Sequence, residues 1–228
     1  MAESDFKTTV LGAINEVRKK NKLPPVTSVD QDSDSLTKLA YLNDVVADLS
    51  DHGNWQELYR EAIVSVVASV RDYGVSGVVV QNINEVAIST RTAALPYRNL
   101  EDIRQLQRLN STGAPNFWSI KGTNSEGNPI VTVDRWPTAS DTGYFNIGYY
   151  LKPPVYVTAD GATTIPFPSR VVVQGLLTKT ILDESDGEGG NRFAINNQIY
   201  EDMKQQSFNR FNGDTGGTTY FRPGRRGR

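Results

Sequence analysis

The spacing of apolar positions changes along the chain, and the changes divide it. Phe6, Val10, Ile14 and Val17 recur at helical spacing, with Ser4 placed to cap the run. Asn21 and Pro24–Pro25 stop it. A second helix is expected from about Ser33 to Leu49, striped by Leu36, Leu39, Ala40, Asn43, Val46 and Leu49. Ser33 or Asp34 caps it, and His52–Gly53 ends it. From Trp55 the pattern turns to strands. Tyr59–Val70 is β-branched and alternating, and Gly77–Ser89 forms a second such region. Tyr97–Asn110 returns to a short polar helix, with Leu100, Ile103, Leu106 and Leu109 at three-residue steps. Phe117–Lys121 and Ile130–Trp136 predict a hairpin across the turn-rich GTNSEGNP. Tyr144–Leu151 is the clearest strand. Phe145, Ile147, Tyr149 and Leu151 share one face, and Tyr144, Asn146, Gly148 and Tyr150 the other.

Helix resumes after Pro166-Phe-Pro168. Arg170–Leu182 carries Val172, Leu176 and Leu177 on one side, and Gly175 within it implies close approach of a neighbouring helix. Asn191–Phe211 is the last helix, anchored by Phe193, Tyr200, Met203, Phe208 and Phe211. Each helical pair has one apolar stripe and needs a partner, so the first and last helices should form one bundle. The expected class is α+β: a bundle built from residues 1–54 and 165–212, an inserted antiparallel β-rich domain at 55–164, and an extended tail at 213–228.

Composition narrows the chemistry. The 228 residues are 38% hydrophobic and 22% charged, with net charge −2, so the whole chain is no electrostatic trap for nucleic acid. The absence of cysteine excludes disulfides, thiol catalysis and thiolate metal sites. The start, MAESDFKTTV, lacks a basic region followed by an apolar run, so no secretory signal is expected. The apolar stretches at Ala62–Val70 and Val171–Leu177 are too short to span a bilayer.

Candidate catalytic sets are thin. Asp141-Thr142-Gly143 and Asp214-Thr215-Gly216 repeat the triplet of aspartic proteases, but neither follows an apolar strand, and ordinary turns are expected. The acidic run Asp183–Asn191 offers oxygen ligands of the kind calcium takes, without the spacing of an EF-hand. His52, the one histidine, stands at a helix C-terminus, where it complements the dipole. No cofactor, metal or catalytic residue is expected. Trp136, Tyr144, Phe145, Tyr149, Tyr150 and Tyr156 are candidates for stacking bases or for a β core and subunit interface. Few basic residues interleave with them.

The last sixteen residues, GDTGGTTYFRPGRRGR, hold five glycines and four arginines and cannot form a core. A partner must order them. Tyr220 and Phe221 offer apolar anchors, and Arg222, Arg225, Arg226 and Arg228 offer bidentate contacts to carboxylates. Nucleic acid is the other partner such a segment takes. The acidic balance favours protein.

The order of motifs resembles the adaptor, or head-to-tail connector, proteins of short-tailed bacteriophages. The matching pieces are the Leu-rich helix LTKLAYLNDVVADLS and the Trp-led strand NWQELYREAIVSVVASVRDYGV, then Gly113-Ala-Pro115, Trp136-Pro137 and TGYFNIGYYLKPP. Ile165-Pro166-Phe-Pro168 and two closing helices complete the set. The resemblance implies a non-enzymatic virion protein. It would form a ring, typically of twelve copies, beneath the portal, extend the DNA channel and join the head to a tail nozzle. It would act at the head–tail junction of the virion, with assembly in the host cytoplasm, no membrane role, and DNA passing without specific binding. The expected portal-binding residues are Phe208, Phe211, Tyr220, Phe221, Arg222, Arg225, Arg226 and Arg228. Asp30, Asp32, Asp34, Asp44, Asp48 and Asp51 are candidates to repel DNA along the channel. The alternative is a single-stranded nucleic-acid binding module using the tail and the β-domain aromatics.

Overall fold

The computed structural model describes residues 7–75, 80–91, 93–141, 143–184 and 190–213. The chain divides into two compact units, Leu58–Pro154 and a second unit built from the segments on either side of it. The class is α+β, as expected from the change of period.

The flanking segments form a helical unit: α1 (Val10–Lys20), α2 (Ser33–His52), α4 (Ser169–Glu184) and α5 (Asn191–Gly213). Helix α1 starts at Val10 because the Thr9 side chain accepts from Gly12 N at 3.0 Å. The cap expected at Ser4 lies outside the described residues. Two further N–H groups of the first turn, those of Val10 and Leu11, donate to the carbonyls of Thr163 and Gly161 at 3.0 and 2.9 Å. Residues 155–164, assigned to the β domain on sequence grounds, therefore belong to the helical unit, and the chain boundary falls at Pro154.

Helix α2 is capped by Asp32, one residue before the expected caps, whose carboxylate accepts from Ser35 N at 2.8 Å. Its buried stripe is Leu39, Leu42, Val45, Val46 and Leu49. Leu36 and Ala40, expected inside, face outward. Helix α4 is buried almost all round and contacts α1, α2 and α5, which makes it the centre of the unit. A Cβ on Gly175 would come within 2.7 Å of both Tyr200 on α5 and Val45 on α2. The close approach read from that glycine is real, and it admits two helices.

Leu58–Pro154 contains β1 (Tyr59–Ser65), β2 (Asp72–Gly74), β3 (Val80–Ile88), α3 (Leu100–Arg108), β4 (Trp118–Thr123), β5 (Pro129–Val133) and β6 (Tyr144–Leu151). All named pairings are antiparallel. One sheet runs β1-β6-β3, with Ala62 and Val86 both opposite Ile147, and the other β2-β5-β4, with Tyr73 and Ile120 both opposite Val131. Both sheets feed one core of Tyr73, Val86, Ile88, Trp118, Val131, Val133, Phe145 and Ile147. The first four strands thus alternate between sheets, and β4 and β5 then share one. The predicted hairpin is β4–β5, turned at Gly127 with φ +82°, a conformation glycine adopts without strain. Helix α3 buries only Ile103, and Leu109, expected in its stripe, is exposed beyond its end. Polar clasps hold it instead: Gln107 Nε2 donates to Thr132 Oγ1 at 3.1 Å and to the Val133 carbonyl at 2.8 Å.

Candidate interaction site

Helix α5 leads to the Arg-rich tail, so what fixes α5 fixes the root of that tail. Tyr200 is buried and its hydroxyl donates to Asp48 Oδ2 on α2 at 2.6 Å. Lys204, one turn on, is 5% exposed and donates to the same oxygen at 3.0 Å and to Glu201 Oε1 at 3.0 Å. Burial pushes the Asp48 carboxyl up. The bonds from Tyr200 and Lys204 outweigh it and hold the group below its ordinary value. Lys204 moves the other way: burial opposes its charge, but Glu201 and Asp48 carry it above the usual lysine range. Burial, then the Asp48 carboxylate, push the Tyr200 hydroxyl far above the ordinary phenol range.

One turn further, the Phe208 ring sits edge-on to Trp55 at 5.4 Å and to His52 at 5.1 Å between centroids. Gly53 makes room for it, since a Cβ there would stand 2.5 Å from the ring. Trp55 is fully buried, donates its Nε1 to the Leu49 carbonyl at 2.6 Å, and also meets Phe167. Burial first, then the Lys204 charge, lower the His52 pKa. Phe208 therefore packs against its own chain and clamps the end of α5. Phe211 lies in the last turn of α5, and its side chain is outside those described. Tyr220, Phe221, Arg222, Arg225, Arg226 and Arg228 lie outside the described residues.

The aromatics offered for base stacking are mostly core. Phe145, Tyr149, Tyr150 and Tyr156 are buried, and Trp136 is half-buried with the Arg71 guanidinium 3.7 Å above its ring. Tyr144 alone of the six is exposed. Half of the acids offered for a channel are neutralised within the chain. Buried Arg18 holds Asp32 at 2.9 Å and Asp34 at 2.5 Å, Asp34 also pairs with buried Lys38, and Asp48 is held by Lys204. Asp30, Asp44 and Asp51 remain exposed. Asp141 closes a turn: Oδ2 accepts from Thr138 N at 2.8 Å and Thr138 Oγ1 at 2.7 Å, which lowers its pKa. Its expected twin Asp214 and most of the acidic run Asp183–Asn191 lie outside the described residues. Among the described residues no three His, Cys, Asp or Glu side chains form a metal-binding group, and no helix is long and apolar enough to cross a membrane.

Two apolar faces of the helical unit have no partner among the described residues. On α5, Ile195 and Ile199 are 60% and 42% exposed. On α2, Leu36 is 43% exposed beside exposed Ala40 and Ala47. Neither was separable by residue type from the buried stripes beside it.

Comparison with known proteins supplies the context for these surfaces. No curated protein matches the chain. Residues 8–227 match the SU10 adaptor protein family, which takes in both units and reaches into the tail. That span, together with the helix–strand–helix order of the motifs, shows that the chain belongs to the SU10 adaptor protein family and carries a phage adaptor role.

Proposed function

We propose that the protein forms a ring beneath the portal of a phage, extends the DNA channel, and receives a tail nozzle on its distal side. Its role in the virion is structural, at the head–tail junction. The observation that carries this reading is family membership across residues 8–227. The fold supports it. The unmatched apolar faces of the helical unit are surfaces that neighbouring subunits cover in a ring. Helix α5 is pinned by Asp48, Trp55 and His52, so the tail leaves a fixed root.

In this reading the tail docks on the portal. Tyr220 and Phe221 insert as anchors, and Arg222, Arg225, Arg226 and Arg228 pair with portal carboxylates. Phe208 and Phe211 stand at the root, where Phe208 sets the direction in which the tail departs. Deleting Gly213–Arg228 is expected to leave a folded protein that no longer attaches to DNA-filled heads. Attachment assayed by sedimentation of heads with labelled adaptor decides it, and normal attachment of the deletion variant overturns the tail assignment.

A further inference from the structure

The ring reading leaves open which faces join neighbouring subunits, and the helical unit offers two unlike ones. Around α5, Arg192, Ile195, Ile199, Asp202, Gln206 and Arg210 are exposed and follow one another at three- and four-residue steps, so they form one stripe. It is apolar in its N-terminal half, carries Asp202 and Gln206 beyond that, and has an arginine at each end. Around α2, Leu36, Ala40, Asp44, Ala47 and Asp51 form a comparable exposed stripe. Ala40 and Ala47 admit close approach of a second helix on either side of Asp44. Asp51 closes one end, and Asp30 lies in the turn that leads into the other.

The two stripes lie on different flanks. Tyr200 and Lys204 of α5 reach α2 at Asp48. The extended segment at Tyr156 reaches α2 at Asn43, which accepts from Tyr156 N at 2.8 Å and donates to its carbonyl at 3.0 Å. At 3.6 residues per turn, these two points are about 140° apart around the helix. Leu36, Ala40 and Ala47 fall on the Asn43 side, beside Val155 and Val157, which are 76% and 56% exposed. A neighbour can cover this flank without disturbing α5.

We infer that the α5 stripe of one copy packs antiparallel on the α2 stripe of the next copy, a head-to-tail contact that rests on the ring reading. Charge decides the pairing. An α5–α5 contact of antiparallel helices sets Arg192 against Arg210, and an α2–α2 contact sets Leu36 against Asp51. The mixed contact instead sets Arg192 against Asp51, Ile195 against Ala47, Ile199 beside Asp44, and Arg210 toward Asp30, so that each arginine at a stripe end meets an acid. Because the two faces differ, each copy keeps one free face after pairing, and the contact propagates to a ring or a chain.

The chain has no cysteine, so engineered disulfides report the contact cleanly. The variant carrying I195C and A47C is oxidised and run without reductant, beside each single variant. The expected result is a ladder of covalent multimers from the double variant and at most a trace of dimer from either single one. In parallel, R192D is expected to weaken assembly about tenfold, and D51R to restore it when combined with R192D. Assembly is read by native mass measurement, with circular dichroism confirming that each variant is folded. Efficient dimer from I195C alone overturns the inference in favour of a symmetric contact. Wild-type multimers that neither crosslink through I195C and A47C nor respond to R192D overturn it while leaving the ring intact. A wild-type chain that stays monomeric at high concentration overturns it as well, and the attachment of the tail to heads then stands as a separate question.

Discussion

Gly175 shows how much one missing methyl can carry. It lies in the middle of α4, where alanine would be the better helix former by about 1 kcal/mol. The fold keeps glycine because Tyr200 and Val45 occupy the space from two sides. Gly175→Ala is expected to destabilise the helical unit by about 1–3 kcal/mol, since overpacking against two ring and methyl groups exceeds the gain in propensity. Gly74→Ala is the control, because nothing lies within 4 Å of its Cβ position. Chemical denaturation of both variants checks this, and an unchanged midpoint for Gly175→Ala would show that α4 and α5 can separate freely. The need for a neighbour at Gly175 was legible in the residue alone. Gly53 was not: it reads as an ordinary helix stop, and its second role depends on Phe208, a residue from the far end of the chain.

Between elements, ion pairs tie α1 to α2 and α2 to α5, and their pKa shifts set a pH window. Asp48 and Asp32 are lowered in the folded chain. Their stabilising contribution is complete above the unfolded value of about 3.9 and is lost as pH falls through the lower folded value. His52 is also lowered, so its contribution is complete above about 6.5 and declines as pH drops. Lys204 is raised, so its contribution is complete below about 10.4 and is lost as pH rises through the folded value. Thermal unfolding against pH is expected to show a plateau between those limits and two acid steps. His52→Gln should remove the upper step and Asp48→Asn should flatten the lower one. A profile in His52→Gln that matches wild type would mean that His52 is solvated in the folded chain. At this scale the helices, the hairpin and β6 were readable, because each is long enough to show its period. Strand β2 was missed, since three residues carry no alternation, and only pairing with β5 defines it. The phase of α2 was misread because the helix has two apolar stripes, and residue type alone does not rank Leu36 against Leu42.

For the molecule as a whole, the decisive question was whether aromatics and arginines make a nucleic-acid surface or serve a scaffold. The core of the β unit absorbs Phe145 and Tyr149, while Tyr156 is buried in the helical unit. Without a stacking platform among the described residues, the full-length chain is expected to show no steep, salt-dependent binding of a labelled single-stranded oligonucleotide. A titration from low to physiological salt tests this, and a strong negative slope would return the tail arginines to nucleic acid. The acidic residues tell a similar story. As a run along α2 they read as one negative face, yet Arg18, Lys38 and Lys204 neutralise three of them from inside the chain.

The kinds of element, their order and the likeness to phage adaptors were all present in local spacing and short motifs, because period, caps and turns depend on neighbours a few residues away. The division of each helix into a core face and a face for partners was not. It depends on which distant segments arrive: α5 on one flank of α2, the chain at Tyr156 on another. Hydrophobicity is non-directional and says only that a stripe must be covered. Packing alone determines whether the cover comes from the same chain or from the next copy in an assembly.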